Sequence, residues 1–311
     1  MRPRVVTVVV HWNEPEETAR CLDSLAAVRY PDHQVVVVDN ASRPDALARL
    51  RTLAAGVRLL ESRENLGFAG GNNLGFEEAR RSGAAYLFLL NSDATVEPEI
   101  LDRLVAAMES DPRIGMSGPN VHSVERPDHV LYAGGDLDWR RGESRIRRPA
   151  PGDAGRLVDV DWIPGCALLV RAEVLDRVGG MDPSYFLYFE ETDWCTRARR
   201  SGYRVVLVPE RLAYHSERTS SALTKSPHFF YYYSRNHPRF LLRHARARVW
   251  ARFLPRYLYR TLVFRGALYY ALGYLKGRDA VDRARARALA RGVLDFCLGR
   301  SGRGPAWLHR A

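Results

Sequence analysis

The feature that most constrains the fold is an alternation of short β-branched runs with helix-like segments over the first 120 residues. Val5–Val10 and Val35–Val38 are too short for helices and are bounded by polar residues, which is typical of buried strands. The same alternation predicts helices at Pro15–Val28, Asp45–Ala55, Asn72–Arg81 and Glu97–Glu109, and further strands at Val57–Leu60 and Tyr86–Leu90. Strands that alternate with helices of this length predict an α/β fold, a mostly parallel sheet with helices on both faces.

Polar residues follow the carboxyl ends of the predicted strands. Asp39-Asn40-Ala41-Ser42 follows the second strand, and Asn91-Ser92-Asp93 follows the strand at Tyr86–Leu90. Between them lies a run rich in glycine and asparagine, residues 65–75, whose glycines let backbone approach a ligand and whose following helix offers N–H groups to a phosphate. Ligands bind at this edge of such sheets. The alternative is that a carboxylate such as Asp39 is only a turn residue or helix N-cap.

The net charge of +11 is concentrated in the C-terminal quarter. Residues 235–311 carry 18 arginine and lysine residues against three acidic ones, whereas residues 1–234 carry 29 against 33. A slightly acidic body with a basic tail indicates a catalytic domain joined to a segment that meets an anionic surface. The four cysteines lie far apart without a Cys-x-x-Cys pair, which predicts neither a zinc knuckle nor a disulfide framework.

A third motif lies further along the chain, where an aromatic run at residues 185–189 opens onto Glu190, Glu191 and Asp193. Taken with Val-Val-Asp-Asn, the Asn65–Asn73 run and Leu-Asn-Ser-Asp, this order resembles family-2 inverting glycosyltransferases with the GT-A fold. The rhamnosyltransferase-like branch is the most similar, over roughly residues 4–240. The resemblance implies transfer of a sugar from a nucleotide-diphosphate donor to a hydroxyl of a cell-envelope glycan or lipid-linked acceptor.

The resemblance also implies which residues bind the donor. Asp39 matches the aspartate that holds the imide N–H of uracil or thymine, a bond that a carboxylate can accept. This predicts a pyrimidine donor, either dTDP-rhamnose or a UDP-sugar. The predicted donor-binding residues are Asn13, Asp39, Gly71, Asn72, Asn91, Ser92 and Asp93.

A divalent metal is the cofactor that the resemblance implies. Asp93 matches the last residue of the family's Asp-x-Asp motif, but Asn91 stands at its first position and offers only a neutral oxygen. His215 stands where many members place a histidine that completes the site. Carboxylate and diphosphate oxygens suit Mg²⁺ or Mn²⁺, and imidazole is acceptable mainly to Mn²⁺. Arg218, just beyond, could meet the diphosphate.

Glu191 is the predicted catalytic base, with Glu190 beside it. An inverting transfer needs one carboxylate to take the acceptor's hydroxyl proton, and neighbouring carboxylates raise one another's pKa. The family usually has Glu-Asp here, so the extra methylene of Glu191 is a departure. The alternative is a helix N-terminus that favours acidic residues for its dipole. Asp193 is interpreted as structural, pairing with Arg197 one helical turn on.

The acceptor and donor sugar are placed by the resemblance near Gly165 and Cys166, within the stretch Asp161–Arg171. The glycine could let a substrate lie against backbone, and the alternative is a buried strand with a bulge. Trp162 and the aromatic Tyr188 complete the predicted acceptor-binding residues.

On this evidence the sequence predicts a catalytic domain at 1–235 and a basic helical appendage at 236–311. Within the catalytic domain, residues 1–120 are the predicted nucleotide-binding half and residues 121–235 the predicted acceptor half.

Residues 249–276 are apolar and aromatic but interrupted by arginines, and their longest uncharged stretch is ten residues. A spanning helix needs about 20. We therefore expect an interfacial amphipathic segment on anionic lipid, with the protein cytoplasmic and peripheral on the inner membrane face. The alternatives are a helical subdomain packed on the core and a homodimer interface.

Two other functions are weighed against this one. A sugar-nucleotide pyrophosphorylase needs a glycine-rich, basic loop after the first strand to bind triphosphate. At this place the chain has residues 11–17, which include three glutamates and no glycine. A nucleic-acid-binding or non-catalytic membrane-binding protein is suggested by the arginine-rich tail. The acidic body and the lack of a recognised motif argue against nucleic acid as a partner.

Overall fold

The computed structural model describes residues 2–216, 226–259 and 280–309. Its strands are β1 (Val5–His11), β2 (His33–Asp39), β3 (Arg58–Glu61), β4 (Tyr86–Asn91), β5 (Ala94–Val96), β6 (Ile114–Ser123), β7 (Val130–Tyr132), β8 (Gly135–Asp138), β9 (Glu143–Ile146), β10 (Val158–Asp159), β11 (Ala167–Arg171) and β12 (Arg204–His215). Its helices are α1 (Pro15–Ala26), α2 (Pro44–Leu53), α3 (Gly67–Arg81), α4 (Ile100–Glu109), α5 (Ala172–Val178), α6 (Glu190–Arg200), α7 (Pro227–His244), α8 (Ala247–Leu258) and α9 (Ala280–Cys297), followed by a 3-10 turn at Ala306–His309.

The chain divides into two units. The first comprises the described parts of residues 1–136, 145–182 and 191–217, and the second comprises those of 137–144, 183–190 and 218–311. The first unit is built on one mixed sheet with the order β10-β12-β6-β11-β4-β1-β2-β3, to which β5 and β7 add at β12 and β6. Along that order only β10 and β11 run against the others, so the sheet is mostly parallel.

Helices cover both faces of this sheet, as the alternation of strands and helices predicts. Val8 and Val10 of β1 meet glycines of α3, so closely that a Cβ at Gly75 would lie 2.2 Å from Cγ1 of Val8. Val5 and Val9, which point to the opposite face, belong to a buried core with residues of α1 and α4. The all-valine run of β1 is therefore explained by burial on both sides.

The second unit is helical and aromatic. Its α7 packs on α9, where a Cβ at Gly292 would lie 2.2 Å from Oγ of Ser234. A buried cluster joins the aromatic residues of α7 to residues 186, 288, 289 and 308. Ser226 caps α7, since its hydroxyl accepts from the Phe229 amide at 3.2 Å.

Four details differ from the sequence-based expectation. Helix α3 begins at Gly67 instead of Asn72, and α4 begins at Ile100 instead of Glu97, whose amide donates to the Leu212 carbonyl of β12 at 2.9 Å. Strand β12 continues past Val208, through irregular register, to end at His215. Helix α7 runs across residue 235, where the sequence predicts the end of the catalytic domain.

The amphipathic tail is described only in part. Helix α8 begins at Ala247, while residues 260–279, with Arg260 and Arg265, lie outside the described residues. The same is true of Arg218. Among the helices that the structure describes, none is long and apolar enough to cross a membrane.

Candidate active site

The predicted strand ends meet at one edge of the sheet. In the parallel register, His11 at the end of β1 lies beside Asp39 at the end of β2. On the other side of β1, Val10 lies beside Asn91 at the end of β4. The carboxyl ends of three parallel strands therefore bring their polar residues together, as expected for a ligand-binding edge.

Asp39 is buried and uses only one of its oxygens within the chain. Its Oδ2 accepts from the Ser42 amide at 3.3 Å, which is the turn role considered from the sequence. Its Oδ1 is buried and has no hydrogen-bond partner among the described residues. Asp39 is not a helix cap, because α2 begins five residues later at Pro44. A buried carboxylate oxygen without a partner is costly unless a ligand donates to it.

Asn13 ties the loop after β1 to the loop after β2. Its backbone is left-handed, with φ of 64°, and its amide donates to Oγ of Ser42 at 2.9 Å. Its side-chain Oδ1 accepts from the Arg43 amide at 2.8 Å. These bonds fix the shape of the edge around Asp39, and donor contact by Asn13 itself remains a prediction.

Asn40 sets the start of α3 beside this edge. Its Oδ1 accepts from the Leu66 amide at 2.8 Å, and its Nδ2 donates to the Gly67 carbonyl at 3.0 Å. The N-terminus of α3, the end at which a helix can offer N–H groups to an anion, is thereby fixed next to the end of β2. The helix therefore begins at residue 67 in the structure, five residues before the start that the sequence predicts.

The glycines of α3 have a packing role. A Cβ at Gly71 would lie 2.9 Å from Cγ1 of Val10, so glycine here allows the helix to lie close to β1. Asn72 is buried, and its Nδ2 donates to the Phe68 carbonyl at 2.9 Å in the same helix. Donor contact by Gly71 and Asn72 stays a prediction.

Asp93 and His215 form a close acid–imidazole pair. The turn after β4 carries Ser92 and Asp93 into β5, which pairs antiparallel with the end of β12. Oδ1 of Asp93 lies 3.1 Å from Nε2 of the buried His215, and Nδ2 of Asn91 lies 3.2 Å from the same nitrogen. Burial lowers the pKa of His215, but the hydrogen bond and charge of Asp93 more than offset this, so the pKa is raised.

Nδ1 of His215 lies 3.2 Å from the carbonyl oxygen of Ser216. If Nδ1 carries the proton and donates to that oxygen, Nε2 presents a lone pair, which is the arrangement that a metal ligand needs. Among the described residues, no group of three or more histidine, cysteine or acidic side chains is arranged to hold a metal. Metal binding by Asp93 and His215 therefore stays a prediction, and it requires further ligands such as diphosphate or water oxygens.

Gly165 and Cys166 lie beside the start of α3, the end of β4 and the predicted base Glu191. A Cβ at Gly165 would lie 2.8 Å from Cε1 of Phe68 and 3.8 Å from Cβ of Glu191. The Cys166 carbonyl accepts from the Asn91 amide at 3.1 Å, and burial raises the pKa of the Cys166 thiol, with the charges of Asp93 and Glu191 raising it further. The first unit thus gathers the end of β4, the start of α3 and the start of α6 around these two residues.

Glu191 lies in the first turn of α6, as the helix-terminus alternative expects, and it also has a perturbed carboxyl. Burial raises its pKa to about 7, although its backbone hydrogen bonds favour the charged form. Its Oε2 has no hydrogen-bond partner among the described residues. A carboxyl that changes charge near neutral pH is suited to accept a proton there.

Asp193 is structural, as expected from its spacing. It is fully buried, and its Oδ2 lies 2.7 Å from Nε of Arg197, whose guanidinium also donates to the carbonyls of Val178 and Gly180. Because Asp193 is held in this pair, the prediction of a catalytic base stays with the two glutamates before it, Glu190 and Glu191.

The remaining predicted residues have less direct placements. Trp162 is buried against Gly135, and its indole N–H has no partner among the described residues. Tyr188 and Glu190 belong to the second unit, where the Tyr188 ring meets Phe229 edge-on at 5.3 Å and Glu190 is buried at the start of α6.

Comparison with known proteins settles the family. The model of the family described as "Glycosyltransferase like family 2" matches residues 3–234. The chain belongs to glycosyltransferase family 2. It is 34% identical over 214 residues to the galactofuranosyltransferase GlfT1 of Mycobacterium tuberculosis, which covers 65% of this chain and 66% of that protein. It is 28% identical over 246 residues to the N-acetylglucosaminyl-diphospho-decaprenol L-rhamnosyltransferase of the same species, covering 71% and 78%.

The matched region thus spans just under two thirds of the length of the galactofuranosyltransferase. Among solved structures, the mannosyltransferase PcManGT from Pyrobaculum calidifontis, in complex with GDP-Man and Mn²⁺, has a TM-score of 0.57 at 18% identity, covering 97% of this chain and 89% of that one. Residues 1–349 of S. aureus TarS, in complex with UDP-GlcNAc, give 0.57 at 16%, covering 96% and 93%. The predicted family, its rhamnosyltransferase-like branch and the GT-A fold are confirmed, and this glycosyltransferase is an enzyme.

Some residues of the glycosyltransferase site were not singled out from the sequence. Asn40 and Ser42 were noted in the sequence only as polar residues after the second strand, and their bonds to the start of α3 and to the Asn13 amide were not predicted. Phe68 lies against Gly165, and nothing in the sequence pattern links them. Asn73 bonds to both the amide and the carbonyl of Met181, at 3.0 and 2.7 Å, which ties α3 to the segment that precedes the aromatic run.

Proposed function

We propose that this glycosyltransferase is inverting and divalent-metal-dependent, and that it transfers a sugar from a pyrimidine nucleotide-diphosphate donor to an acceptor hydroxyl. The observation that carries the proposal is the arrangement around Gly165 and Cys166: a Cβ at Gly165 would lie 3.8 Å from Cβ of Glu191, and the Cys166 carbonyl accepts at 3.1 Å from the amide of Asn91, whose Nδ2 lies 3.2 Å from Nε2 of His215 in the Asp93–His215 pair. Glu191 can accept a proton, while a metal held by Asp93 and His215 would bind the diphosphate. A single displacement needs both functions in one site.

The Asp93–His215 pair fits a divalent cation. The 3.1 Å between Oδ1 and Nε2 matches the separation of about 3 Å between adjacent octahedral ligand atoms on such a cation. Bound there, the metal would neutralise the departing diphosphate. The imidazole favours Mn²⁺ over Mg²⁺, and the related mannosyltransferase was solved with Mn²⁺.

Glu191 would act on the acceptor. Its ionised Oε atom takes the hydroxyl proton while the acceptor oxygen attacks the anomeric carbon and the bond to the diphosphate breaks. The sugar is turned over once, so its anomeric configuration inverts. Asp39 Oδ1 would hold the imide N–H of uracil or thymine at the other end of the donor.

The relatives suggest the donor and acceptor classes. One is named for galactofuranose and the other for rhamnose and a diphospho-decaprenol acceptor. We therefore propose dTDP-rhamnose or a UDP-sugar as donor, and a cell-envelope glycan or a lipid-linked glycan as acceptor.

A donor screen tests the proposal. The protein is incubated with dTDP-rhamnose, UDP-sugars and, as a control, GDP-mannose, together with a lipid-linked acceptor and Mn²⁺ or Mg²⁺. The expected result is transfer from a pyrimidine donor only, abolished by excess EDTA. Full transfer in EDTA, or a preference for GDP-mannose, would contradict the proposed donor site.

The basic part of the second unit supports peripheral contact with the cytoplasmic membrane face. The side chains of Arg246, Arg248 and Arg252 are exposed at and near the start of α8, and the apolar residues Leu242 and Tyr259 are 60% and 61% exposed. A segment that exposes both arginines and apolar side chains suits an anionic lipid surface. A homodimer interface is the alternative use of the same surface.

Charge reversal separates these two uses. Replacing Arg246, Arg248 and Arg252 with glutamate should release the protein from vesicles of phosphatidylcholine and phosphatidylglycerol. The control reverses Arg20, Arg49 and Arg177, exposed arginines of the first unit, for the same change in net charge. Equal release by both triple variants would leave only a general charge effect, and loss of a dimer by the first variant would favour the interface.

A further inference from the structure

The turn that leads into the two glutamates has an unusual backbone. Phe186, Tyr188 and Phe189 have φ values of 67°, 66° and 76°. Side chains other than glycine rarely adopt this left-handed region, and each such residue costs on the order of 1–3 kcal/mol. Three of them within four residues require surrounding structure that holds them in place.

Arg235 and Asn236 of α7 provide that structure through the carbonyls of the turn. Nδ2 of Asn236 donates to the carbonyl oxygens of Tyr185, Leu187 and Tyr188 at 2.8–2.9 Å. Nη2 of Arg235 donates to the Tyr185 carbonyl at 2.9 Å. Both side chains are fully buried. The side chains of Arg235 and Asn236 therefore donate hydrogen bonds to most of the backbone carbonyls between residues 184 and 188.

The rings of the three strained residues are held by the same helix. The Phe186 ring stacks on Tyr232 at 5.2 Å, the Tyr188 ring meets Phe229 edge-on, and the Phe189 ring stacks on His237 at 5.1 Å. Backbone and side chains of the turn are thus both fixed by α7. The arginine has a second anchor, since its Nη1 donates to the Gly302 carbonyl at 2.7 Å, and the Gly302 amide donates to the Ser184 carbonyl at 2.8 Å.

Packing of α7 against the turn would not by itself require an arginine and an asparagine at positions 235 and 236. Burying a guanidinium is costly, and burial lowers the pKa of Arg235 despite nearby tyrosines that oppose this. Apolar residues could pack α7 at lower cost, but they could not donate to the three carbonyl oxygens that lie within 2.9 Å of Nδ2 of Asn236. The presence of Arg235 and Asn236 is explained if their hydrogen bonds hold the turn at residues 184–189 in its left-handed conformation.

We propose that Arg235 and Asn236 are positioning residues, which set the backbone of Ser184–Phe189 and thereby the placement of Glu190 and Glu191, the next residues in the chain. The inference rests on the proposed function of Glu191 as base. It assigns these two residues of α7 a part in catalysis that does not involve donor binding.

The test compares Asn236→Ala with Ser234→Ala. Ser234 is a matched control because it is buried in the same helix and its hydroxyl also donates to carbonyls, those of Tyr231 and Leu289, which lie outside the turn. Asn236→Ala should lower kcat about 10–100-fold, because small misplacements of a reacting group have effects of this size. The affinity for UDP or dTDP should change less than twofold. Ser234→Ala should leave both within twofold.

Hydrogen exchange followed by mass spectrometry gives a readout that does not depend on activity. Amides of the segment 184–190 should exchange faster in Asn236→Ala and not in Ser234→Ala. If Asn236→Ala does not fold, Arg235→Lys serves instead, since it keeps the charge and loses the planar fork. Faster exchange with unchanged kcat would overturn the positioning role, and so would unchanged exchange. Absence of any transfer by the wild type would instead refute the proposed function, while the exchange data would still decide whether Asn236 holds the turn.

Discussion

The raised pKa of Glu191 predicts a measurable dependence of stability on pH. Glu191→Gln keeps the shape of the side chain and removes its ionisation. Burial raises the pKa of this carboxyl from 4.5 to about 7 in the folded protein. Between these two values the folded state holds a proton that the unfolded state has released. Stability is therefore highest below the unfolded pKa and falls as pH rises through the folded pKa.

The magnitude follows from the size of the shift. At about 1.4 kcal/mol per pKa unit, the full penalty above pH 7 is about 3 kcal/mol. Glu191 keeps some contact with solvent, which reduces it, so we expect the free energy of unfolding of Glu191→Gln relative to wild type to increase by about 2 kcal/mol between roughly pH 5 and pH 8. Any effect of the amide on packing is the same at both pH values and cancels in this difference.

Urea unfolding of both proteins across this pH range measures the effect. The matched control is Glu173→Gln, which removes an exposed carboxylate from the first turn of α5 and should give a difference that does not change with pH. A free-energy difference for Glu191→Gln that is equal at both pH values would refute the burial of this carboxyl. Burial could then no longer explain how Glu191 acts as a base near neutral pH.

Three further predictions test other parts of the site. Asp93→Ala should abolish the dependence of donor binding on Mn²⁺, measured by calorimetry with and without the metal, and unchanged metal dependence would rule out the proposed site. Asp39→Ala should weaken binding of UDP or dTDP more than binding of pyrophosphate, whereas equal loss for both would indicate a folding defect. Gly75→Ala should lower the free energy of unfolding by about 1–3 kcal/mol, because its Cβ would lie 2.2 Å from Cγ1 of Val8. Gly152→Ala, whose Cβ meets nothing within 4 Å, is the control and should be close to neutral.

The edge of the sheet formed by the ends of β1, β2 and β4 was predictable because its signals are local. The valine run of β1 marks a strand buried on both faces, and polar residues directly after the strands mark its functional edge. Parallel pairing then brings Asp39 and Asn91 together without further information. The position of Asp193 was equally local, since its partner lies one helical turn away.

The start of α3 and the placement of the turn before Glu191 were not predictable in this way. Glycine and asparagine at residues 70–73 lower helix propensity, but Asn40 fixes the first turn of α3 through bonds from outside the helix. The aromatic run gave no sign of its left-handed backbone, because the donors that hold it come from residues 235 and 236, about 50 positions later. Contacts of such sequence separation leave no periodic pattern.

The turnover of Glu191→Gln tests the central claim most directly. Initial rates are measured at saturating donor, acceptor and Mn²⁺, alongside the affinity for the nucleotide. The account predicts a fall in kcat of roughly 10²–10⁴-fold with donor affinity nearly unchanged, because the base acts on the acceptor hydroxyl and not on the nucleotide. A Glu191→Gln enzyme with near-normal kcat would contradict the assignment and move the proton-accepting role to another group.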